Sequence, residues 1–358
     1  MALPHRAALI EFGDSHDELL YSQLKTLQFA SIETHLIVNS KLEERLKIFT
    51  GKFFSKFFTP SKKFFHDLEI VRDIVVYLNE HNIHTVIVNS ASGPLVRNFC
   101  LIANRGIEII GIIHYADKLK QSINQRIISS RIKKYFVLND YLIDANPHLS
   151  NYNIKSLYPV FFPPHKNIPV NKSANEIWIC VPGKIDFLKR DYLGLIEQLD
   201  AININSRVKF ILLGEAKNPD GEKVRKLLEE KNLSPHFVLF DEYVNWDTFL
   251  SYVNACNFIM PLLHPSVPRF NTYRNDQISG NFNLSFGLKI PLLLHESFKT
   301  KKDFQTTSLF YSLENLNEVL SAEINDAKKV THLMDNIINN PKFSFEYQSK
   351  VYLDFIST

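Results

Sequence analysis

Short apolar runs alternate with longer amphipathic segments along the whole chain. The runs are rich in Val, Ile, Leu and Phe, as in parallel strands that helices cover on both faces. Segments such as 16–30 and 67–82 carry apolar residues at helical spacing between two such runs. The pattern therefore predicts an α/β fold, with strands at residues 7–12, 35–38, 85–89, 109–114, 135–139, 177–181, 208–214, 237–240, 258–261 and 291–294.

This alternation is interrupted once, at residues 158–176, where proline and polar residues dominate. Such a composition is typical of a linker between domains. We therefore expect two Rossmann-like, doubly wound domains, residues 1–165 and 166–340, that face each other across a cleft. Ligands of these sheets bind at the carboxyl ends of the strands, so the strand-to-helix junctions are where we expect the chemistry.

Composition limits the class of protein. The chain has 358 residues, 45% of them hydrophobic and 22% charged, which is typical of a globular protein with two cores. Its three cysteines form no CxxC pair, so the sequence predicts neither a disulfide framework nor a structural zinc site. No run approaches the roughly 20 apolar residues of a spanning helix, and the first residues do not have the pattern of a secretory leader. These features favour the cytoplasm.

The net charge is +3, and basic residues concentrate between Glu44 and Asp67, where no acidic residue occurs. On a helical wheel of residues 48–59 the phenylalanines fill one half and the lysines lie in the other. The pattern predicts an amphipathic helix that Pro60 ends. Between Glu44 and Asp67 lie the aromatic residues Phe49, Phe53, Phe54, Phe57, Phe58, Phe64 and Phe65 and the cations Arg45, Lys47, Lys52, Lys56, Lys62 and Lys63.

Three interpretations of this Phe/Lys segment, residues 47–65, stay open. Its apolar face packs on the core of the first domain, as the face of any helix in an α/β fold does. Alternatively, it lies on an anionic membrane surface, at the inner face of the membrane, or docks a lipid-linked acceptor. In the third, single-stranded nucleic acid stacks on the phenylalanines, but nothing else in the chain is typical of an oligonucleotide-binding module. We therefore expect no nucleic acid as a partner.

The first junction of the second half has the residues of a diphosphate site. Gly183 follows a predicted strand, Lys184 lies in the short loop, and Lys189 and Arg190 open the next helix. Glycine lets a ligand approach the backbone, while the helix start and the cations attract phosphate. A tight turn before a solvated helix explains the same residues. Gly214 and Glu215, directly after the next strand, form a similar turn at the sheet edge.

A second anion site is predicted near residue 280. Ser279 and Gly280 precede the helix-like segment that starts at Asn281. Ser279 is a good helix cap, and the free amides around Gly280 are able to face a phosphate. An ordinary capped helix is the alternative.

Together these motifs resemble GT-B glycosyltransferases, especially the branch near family 4. The similar features of the second half are Gly183 with Lys189 and Arg190, the LLGE junction, the FDEYV loop (240–244), and Tyr273 followed by SGNFNLSFGLKIPLL. In the first half, GIIHYADKLK, KKYFVLNDYL and SLYPVFFP are similar to the corresponding strands of those enzymes. The resemblance covers nearly the whole chain, and it implies that the last segment, 341–358, is a helix that crosses back to the first domain.

The resemblance also implies roles for individual residues. Lys189 and Arg190 would contact the donor diphosphate, and Ser279 and Gly280 would add phosphate contacts. The remaining donor-side candidates are Gly183, Lys184, Gly214, Glu215, Asp241, Glu242, Tyr243, Tyr273 and Asn281, of which 241–243 would line the nucleoside pocket.

On the acceptor side, the resemblance implies that His114 orients the donor sugar, although a histidine that ends an apolar strand is often a hydrogen-bonded structural residue. The loop with Gly13, Asp14 and His16 would admit the acceptor and supply a general base. Helix capping by Asp14 or Ser15 explains this loop equally well.

One position departs from the family pattern. Many members carry two glutamates eight positions apart in the last donor motif, but Asp276 is followed at that distance by Leu284. The sequence therefore leaves the stereochemistry open, and branches with the S-G form lack the pair as well.

The predicted function is a metal-independent hexosyltransferase of polysaccharide biosynthesis, with a nucleotide sugar as substrate, a glycan or lipid-linked acceptor and no cofactor. The alternatives are a catalytically silent scaffold that binds a glycan or a partner, and a sugar-nucleotide epimerase.

Overall fold

The computed structural model has two compact units, each built around one parallel sheet. Unit 1 contains the chain up to Pro164, the short segment Asn275–Ile278, and the chain from Ser344 onward. Unit 2 contains His165–Arg274 and Ser279–Phe343. The structure describes residues 3–61, 63–120, 122–202 and 204–357.

Unit 1 has a seven-stranded sheet with the order β3-β2-β1-β4-β5-β6-β7. The strands are β1 (Arg6–Glu11), β2 (Glu33–Asn39), β3 (Phe54–Phe58), β4 (Thr85–Val88), β5 (Glu108–Ile113), β6 (Lys134–Leu138) and β7 (Asn153–Leu157). The helices are α1 (Glu18–Phe29), α2 (Glu43–Leu46), α3 (Phe64–Glu80), α4 (Pro94–Ile102), α5 (Ile123–Arg131) and α6 (Asp140–Ala145). The inner strands are almost fully buried because helices cover both of their faces.

Unit 2 has a six-stranded sheet with the order β10-β9-β8-β11-β12-β13. The strands are β8 (Ile177–Pro182), β9 (Val208–Glu215), β10 (Phe237–Phe240), β11 (Phe258–Ile259), β12 (Leu292–His295) and β13 (Ser308–Tyr311). The helices are α7 (Tyr192–Asp200), α8 (Pro219–Glu230), α9 (Trp246–Ala255), α10 (Phe270–Asn275), α11 (Gly280–Leu288), α12 (Lys302–Gln305), α13 (Leu316–Ser321) and α14 (Ala327–Ile338). The last helix of the chain, α15 (Phe345–Ile356), belongs to unit 1.

Each sheet has one point where the strand order reverses. In unit 1 it lies between β1 and β4, and in unit 2 between β8 and β11. In such sheets, the loops that follow the two strands at the point of reversal run in opposite directions. The crevice between these loops, at the carboxyl ends of the strands, is the usual ligand site. The α/β fold with two doubly wound domains is therefore confirmed, and every predicted strand overlaps an observed one.

The predicted helix over residues 48–59 is wrong. Residues Phe54–Phe58 form strand β3, which pairs in parallel with β2 at the edge of the sheet. The chain turns into this strand at Gly51, whose φ is +117°, and Phe58 packs its ring 5.6 Å from that of Phe12. Backbone pairing with a buried strand thus outweighs the helical spacing of the phenylalanines.

Segment Asn275–Ile278 departs from the domain limits that the sequence predicts, because it belongs to unit 1. The amide of Ala116 donates to the carbonyl oxygen of Asp276 over 2.8 Å, and the side chain of Asn146 donates to that of Asn275 over 2.6 Å. None of the helices within the described residues is long and apolar enough to cross a membrane.

Candidate functional site

In unit 2, the β8–α7 junction is organised by a glycine and an arginine. Gly183 has a φ of +96°, which favours glycine, and its amide donates to Leu213. The guanidinium of Arg190 donates to the carbonyl oxygens of Lys184 (2.7 Å) and Pro182 (2.6 Å), one on each side of Gly183. Arg190 therefore holds the shape of the loop, while Lys189 extends beside it, 3.4 Å from Asp186, with its side chain 36% exposed.

A cavity of about 390 Å³ opens next to this loop. Its lining includes three aromatic residues, Tyr243, Trp246 and Phe249, and the two glycines of the β8 and β9 junctions. A Cβ atom at Gly214 would collide with the backbone of Gly183, so the two loops are in close contact. A cavity lined by aromatic residues and by glycine loops has the size and chemistry to hold a nucleoside. The residues that line it are Gly183, Lys184, Leu213, Gly214, Glu215, Tyr243, Val244, Trp246 and Phe249.

The FDEYV loop contributes to the cavity unevenly. Tyr243 lines it and is exposed, whereas Asp241 and Glu242 are engaged in surface ion pairs. Asp241 pairs with Arg225, and Glu242 lies 2.6 Å from the ammonium of Lys217. These two carboxylates therefore face cations of helix α8 and its N-terminal loop.

The start of α11 has the features of an anion site. Ser279 caps the helix, since its Oγ accepts from the amide of Asn281 over 3.4 Å. The space above Gly280 is open, with no described atom within 4 Å of a Cβ built there. The amide nitrogen of the Asn281 side chain is buried and finds no hydrogen-bond partner among the described residues. A buried donor of this kind is costly unless a ligand or water accepts from it.

Tyr273 lies in the connection that leads to α11, and its hydroxyl is affected by the charge of Arg190 in the β8–α7 loop. Burial raises the pKa of its hydroxyl, while the nearby positive charges of Arg190 and Arg269 act in the opposite direction. Tyr273 comes from α10, which precedes α11 in the same β11–β12 connection. The donor-side candidates of the sequence thus lie along the carboxyl edge of the second sheet.

A buried hydrogen-bond chain supports the start of α7. One carboxylate oxygen of Asp191 caps the helix at Gly194, and the other contacts Nδ1 of His264 (2.8 Å) and accepts from Ser266 (2.6 Å). The Nε2 atom of His264 lies 2.6 Å from the hydroxyl of Tyr311. Burial raises the pKa of Asp191, but the hydrogen bonds from its partners outweigh burial and lower it to about 2. This chain spans the point of reversal between β8 and β11.

In unit 1, the structure brings His16 and His114 together. Their rings are stacked, with centroids 3.7 Å apart and planes 26° from parallel. The Nε2 atom of His114 lies 2.8 Å from the carbonyl oxygen of Asn89 and must donate to it. Burial, with the nearby His16, lowers the pKa of His114 to about 4, so this ring is neutral at physiological pH.

Near His16 lies Glu11, a fully buried carboxylate at the end of β1. It accepts from the amide of Gly13 (2.6 Å), from the Asn89 side chain (2.9 Å) and from Ser90 (2.7 Å). Burial raises its pKa, although the three donors favour the charged form. Asn89 also donates to the carbonyl oxygen of His16, so it links the carboxylate to both histidines. The cluster occupies the point of reversal between β1 and β4.

Asp14 does not join this cluster. It is exposed and pairs with Lys41 over 3.2 Å, and the hydrogen bond from that ammonium lowers the pKa of Asp14. Glu18, by contrast, was not predicted from the sequence and lies next to His16, with its Oε1 3.4 Å from the Nδ1 atom of the ring.

Sequence reasoning missed several residues of both sites. In unit 1 a signal existed, because Glu11 is a charged residue inside an otherwise apolar run. In unit 2, Trp246 and Phe249 lie directly after the FDEYV loop and are three positions apart, so the sequence already indicated that both belong near the predicted nucleoside pocket. The partners that sequence spacing does not reveal are Asn89, Ser90, Asp191, His264 and Tyr311.

Comparison with solved structures identifies similar folds over nearly the full chain. A glycosyltransferase from Rickettsia africae has a TM-score of 0.68 at 13% identity, covering 99% of this chain and 98% of its own. HepE from Anabaena, solved in complex with UDP, has a TM-score of 0.72 at 11% identity, with coverage of 98% and 99%. The UDP-GlcNAc 2-epimerase of Neisseria meningitidis, bound to UDP-GlcNAc, has a TM-score of 0.61 at 13% identity, with coverage of 98% and 99%.

The sequence itself matches no family model and no curated protein. At these identities the structural likeness defines the fold alone. The chain therefore has the GT-B fold that its motifs resemble.

Proposed function

We propose that the protein is a glycosyltransferase that takes a sugar from a nucleotide donor. The observation that carries this proposal is the cavity of about 390 Å³ in unit 2, which is lined by three aromatic residues and by two close-packed glycine loops, at the β8–α7 junction with its cations. The aromatic residues suit a nucleoside, and Lys189 with the start of α11 suits its phosphates. Structures of the same fold hold UDP and UDP-GlcNAc, which supports a uridine nucleotide as the probe of choice.

The proposed chemistry is the departure of a nucleoside diphosphate. Negative charge grows on the leaving diphosphate as the bond to the sugar breaks. Lys189 and the amides at the start of α11 would stabilise that charge, while Arg190 keeps the loop in shape. A metal ion is not needed for this step, and we propose that the enzyme acts without one.

A nucleotide-sugar 2-epimerase is the second candidate, because enzymes with this activity share the fold over nearly the whole chain. The two activities differ in their products. A transferase releases UDP, whereas an epimerase interconverts two UDP-sugars, and a silent scaffold does neither. Incubation with UDP-glucose, UDP-galactose and UDP-GlcNAc, with and without EDTA, followed by chromatography of the nucleotides, separates the three.

The binding part of the proposal is tested by titration calorimetry with UDP and with uridine. We expect Lys189→Ala to weaken UDP binding by about 1.5–3 kcal/mol and to change uridine binding less, since a charge-assisted hydrogen bond to phosphate is lost. Arg190→Ala should also weaken UDP binding more than uridine binding, because the loop loses its support and the site loses a positive charge. Lys226→Ala is the matched control, because Lys226 is an exposed lysine of unit 2 that pairs with Glu230. Equal UDP affinity in the parent and both site variants would remove the two cations from the site.

We also propose that unit 1 lies on an anionic membrane surface, where a lipid-linked acceptor is presented. Phe54, Phe57, Phe64 and Phe65 are exposed around β3 and the start of α3, and Phe65 is 79% exposed. Exposed lysines Lys52 and Lys63 accompany them, and no acidic residue interrupts the segment. Exposed aromatic rings next to cations suit an interface of acyl chains and anionic headgroups. Lys62, part of the predicted basic patch, lies outside the described residues.

A further inference from the structure

A cavity of about 750 Å³ lies at the amino-terminal edge of the sheet in unit 1. It is formed where α1 ends, where β2 begins and where the chain turns at Gly51 into β3. Because β1, β2 and β3 are parallel, this edge is opposite to the carboxyl ends of the strands, after which His16 and His114 lie. The cavity is therefore separate from the cluster at the point of strand reversal. Its lining includes Gln28, Glu33, Lys52, Phe53 and Phe54.

Phe54 presents an aromatic platform in this cavity. Its ring is stacked on that of His35, with centroids 4.8 Å apart and planes 22° from parallel, yet the residue is 55% exposed. The protein thus supports one face of the ring, and the ring stays accessible to a ligand. Phe53 lines the cavity beside it and is half-buried. The face of an aromatic ring carries partial negative charge, so it attracts the weakly positive C–H groups of another molecule.

The support of this platform is fixed by hydrogen bonds. His35 is buried, and its Nε2 atom lies 3.1 Å from Oε1 of Glu33, a carboxylate oxygen that only accepts. Nε2 therefore carries the hydrogen, and Nδ1 accepts from the hydroxyl of Tyr77 over 2.8 Å. Burial lowers the pKa of His35, so this ring stays neutral at physiological pH. Both nitrogens of the imidazole under Phe54 are consequently held in place.

Polar groups with unused hydrogen-bonding capacity accompany the platform. Arg6 and His35 both contact Oε1 of Glu33, over 2.8 Å and 3.1 Å, while its Oε2 has no hydrogen-bond partner among the described residues. Gln28 donates through Nε2 to the carbonyl oxygen of Lys52 over 3.2 Å, and its Oε1 is able to accept. The side chain of Lys52 is exposed and supplies a donor. The cavity thus combines acceptors, a donor and an aromatic face.

This combination matches the chemistry of a sugar ring. The hydroxyls of a sugar both donate and accept hydrogen bonds, and a face of the ring that carries C–H groups is able to stack on an aromatic side chain. Other ligands fit less well. An acyl chain would cover Glu33 and Gln28 and leave them without partners, which is costly. A phosphate would face the negative charge of Glu33.

We propose that this cavity is a carbohydrate-binding site, separate from the site of sugar transfer, in which a neutral segment of a glycan stacks one sugar ring on Phe54. The site uses residues of unit 1 alone and none of the donor-side residues, so it does not depend on the proposed function. If the protein does transfer sugars to a glycan, a chain that is held at this second point dissociates less often, because its rebinding is intramolecular.

The first experiment measures binding without a donor and without turnover. The parent chain is mixed with maltopentaose, cellopentaose or N-acetylated chitopentaose, which are neutral oligosaccharides, and saturation-transfer NMR with titration gives the contacts and the affinity. We expect at least one of the three to bind, with the C–H protons of one sugar face receiving the most saturation. If none of them binds to the parent chain, the proposal is wrong.

The second experiment locates the binding. Phe54→Ala should weaken it about tenfold or more, because the platform is lost, and Phe54→Trp should keep it, because a ring remains. Phe57→Ala is the matched control, since Phe57 is an exposed phenylalanine of the same strand that does not line the cavity. Equal affinity in the parent and Phe54→Ala, or equal losses in Phe54→Ala and Phe57→Ala, contradicts the proposal.

A variant that keeps the platform covers the case in which Phe54→Ala melts early. Gln28→Ala removes one acceptor of the cavity and should weaken binding about threefold or more. Melting curves of all the variants show which of them are folded. If Gln28→Ala is folded and binds the oligosaccharide as the parent does while Phe54→Ala does not fold, the polar half of the site is absent and the proposal is wrong.

Two further variants separate this site from the other proposed surfaces. Trp246→Ala changes the cavity of unit 2, and Phe64→Ser/Phe65→Ser lies beyond the carboxyl end of β3. Both should bind the oligosaccharide as the parent does, and Phe54→Ala should keep the UDP affinity of the parent. Loss of oligosaccharide binding in Trp246→Ala would place the sugar in the donor cavity and overturn the proposal. A parent chain that does not bind UDP defeats the proposed function instead and leaves the oligosaccharide result as it is.

Discussion

A Cβ atom at position 183 would lie 2.9 Å from Nη2 of Arg190, so Gly183 provides the space that the guanidinium group occupies. The same guanidinium donates to the carbonyl oxygens of residues 182 and 184. The resemblance implies that Arg190 contacts the donor diphosphate, and the structure shows that it holds the loop. Substitution of Arg190 by alanine therefore removes a positive charge and also removes the support of the loop. Substitution of Lys189 removes only a charge.

Gly183→Ala should destabilise the protein by about 1–3 kcal/mol and weaken UDP binding, because the residue has a positive φ and its neighbour leaves no room. The measurement is urea unfolding together with UDP calorimetry. Gly93→Ala is the control, since Gly93 has a φ of +97° but no contact within 4 Å of its Cβ position among the residues that the structure describes. If the two variants unfold alike and both keep UDP affinity, the contact with Arg190 has no role in the loop.

Trp246→Ala should weaken uridine and UDP binding equally, by about 1–3 kcal/mol, because the lost contact is the stacking of the base and not a phosphate contact. The affinity ratio of the two ligands then stays constant, in contrast to the variants of the cations. Trp178→Phe is the control, because the other tryptophan is buried against Tyr252 and does not line the cavity. An affinity loss confined to UDP would place the nucleoside elsewhere.

Asp191 should make the protein less stable in acid. Its folded pKa, about 2, lies below the ordinary value of 3.8, so its contribution is complete above that value and is lost as the pH falls toward 2. The contribution is about 2 kcal/mol. Asp191→Asn keeps a helix cap and loses the charge, so urea unfolding of parent and variant should differ at pH 6 and converge near pH 2. A difference that persists at pH 2 contradicts the prediction.

Phe64→Ser/Phe65→Ser should lose binding to anionic vesicles and keep its melting temperature, because both rings are exposed at the start of α3. Phe58→Ser is the opposite case, because this ring is buried beside Phe12. It should melt early and keep vesicle binding. Vesicle flotation and melting curves distinguish the two variants. If the parent chain does not bind anionic vesicles, the proposal that unit 1 lies on a membrane surface is wrong.

How far the sequence predicts the fold depends on strand burial. Inner parallel strands are covered on both faces and therefore appear as continuous apolar runs. The three strands that were missed, β3, β7 and β13, are all edge strands. In β7, for example, exposed and partly buried residues alternate along NIKSL, which has no apolar run. For β3 the helical spacing of the phenylalanines predicted a helix, but the segment forms a strand because its backbone pairs with β2.

The sequence predicts those site residues that belong to a local motif, and it does not predict partners that are distant along the chain. Gly183, Gly214, Ser279 and Tyr243 were found because turn, cap and loop chemistry is written in consecutive residues. The chain from Asp191 through His264 to Tyr311 joins residues 73 and 47 positions apart, and no local pattern marks such partners. The pairing of His16 with His114 likewise depends on the sheet order, which places β1 and β5 on either side of β4.

The position of α15 has a consequence for how the protein is made. This helix completes unit 1, where Tyr352 stacks on Phe136 with ring centroids 5.2 Å apart and donates to Gln23 over 3.1 Å. Because unit 2 is encoded between the two parts of unit 1, the ribosome finishes unit 2 before it delivers this helix. The apolar surface around Phe136 therefore stays uncovered by α15 while nearly two hundred further residues are synthesised.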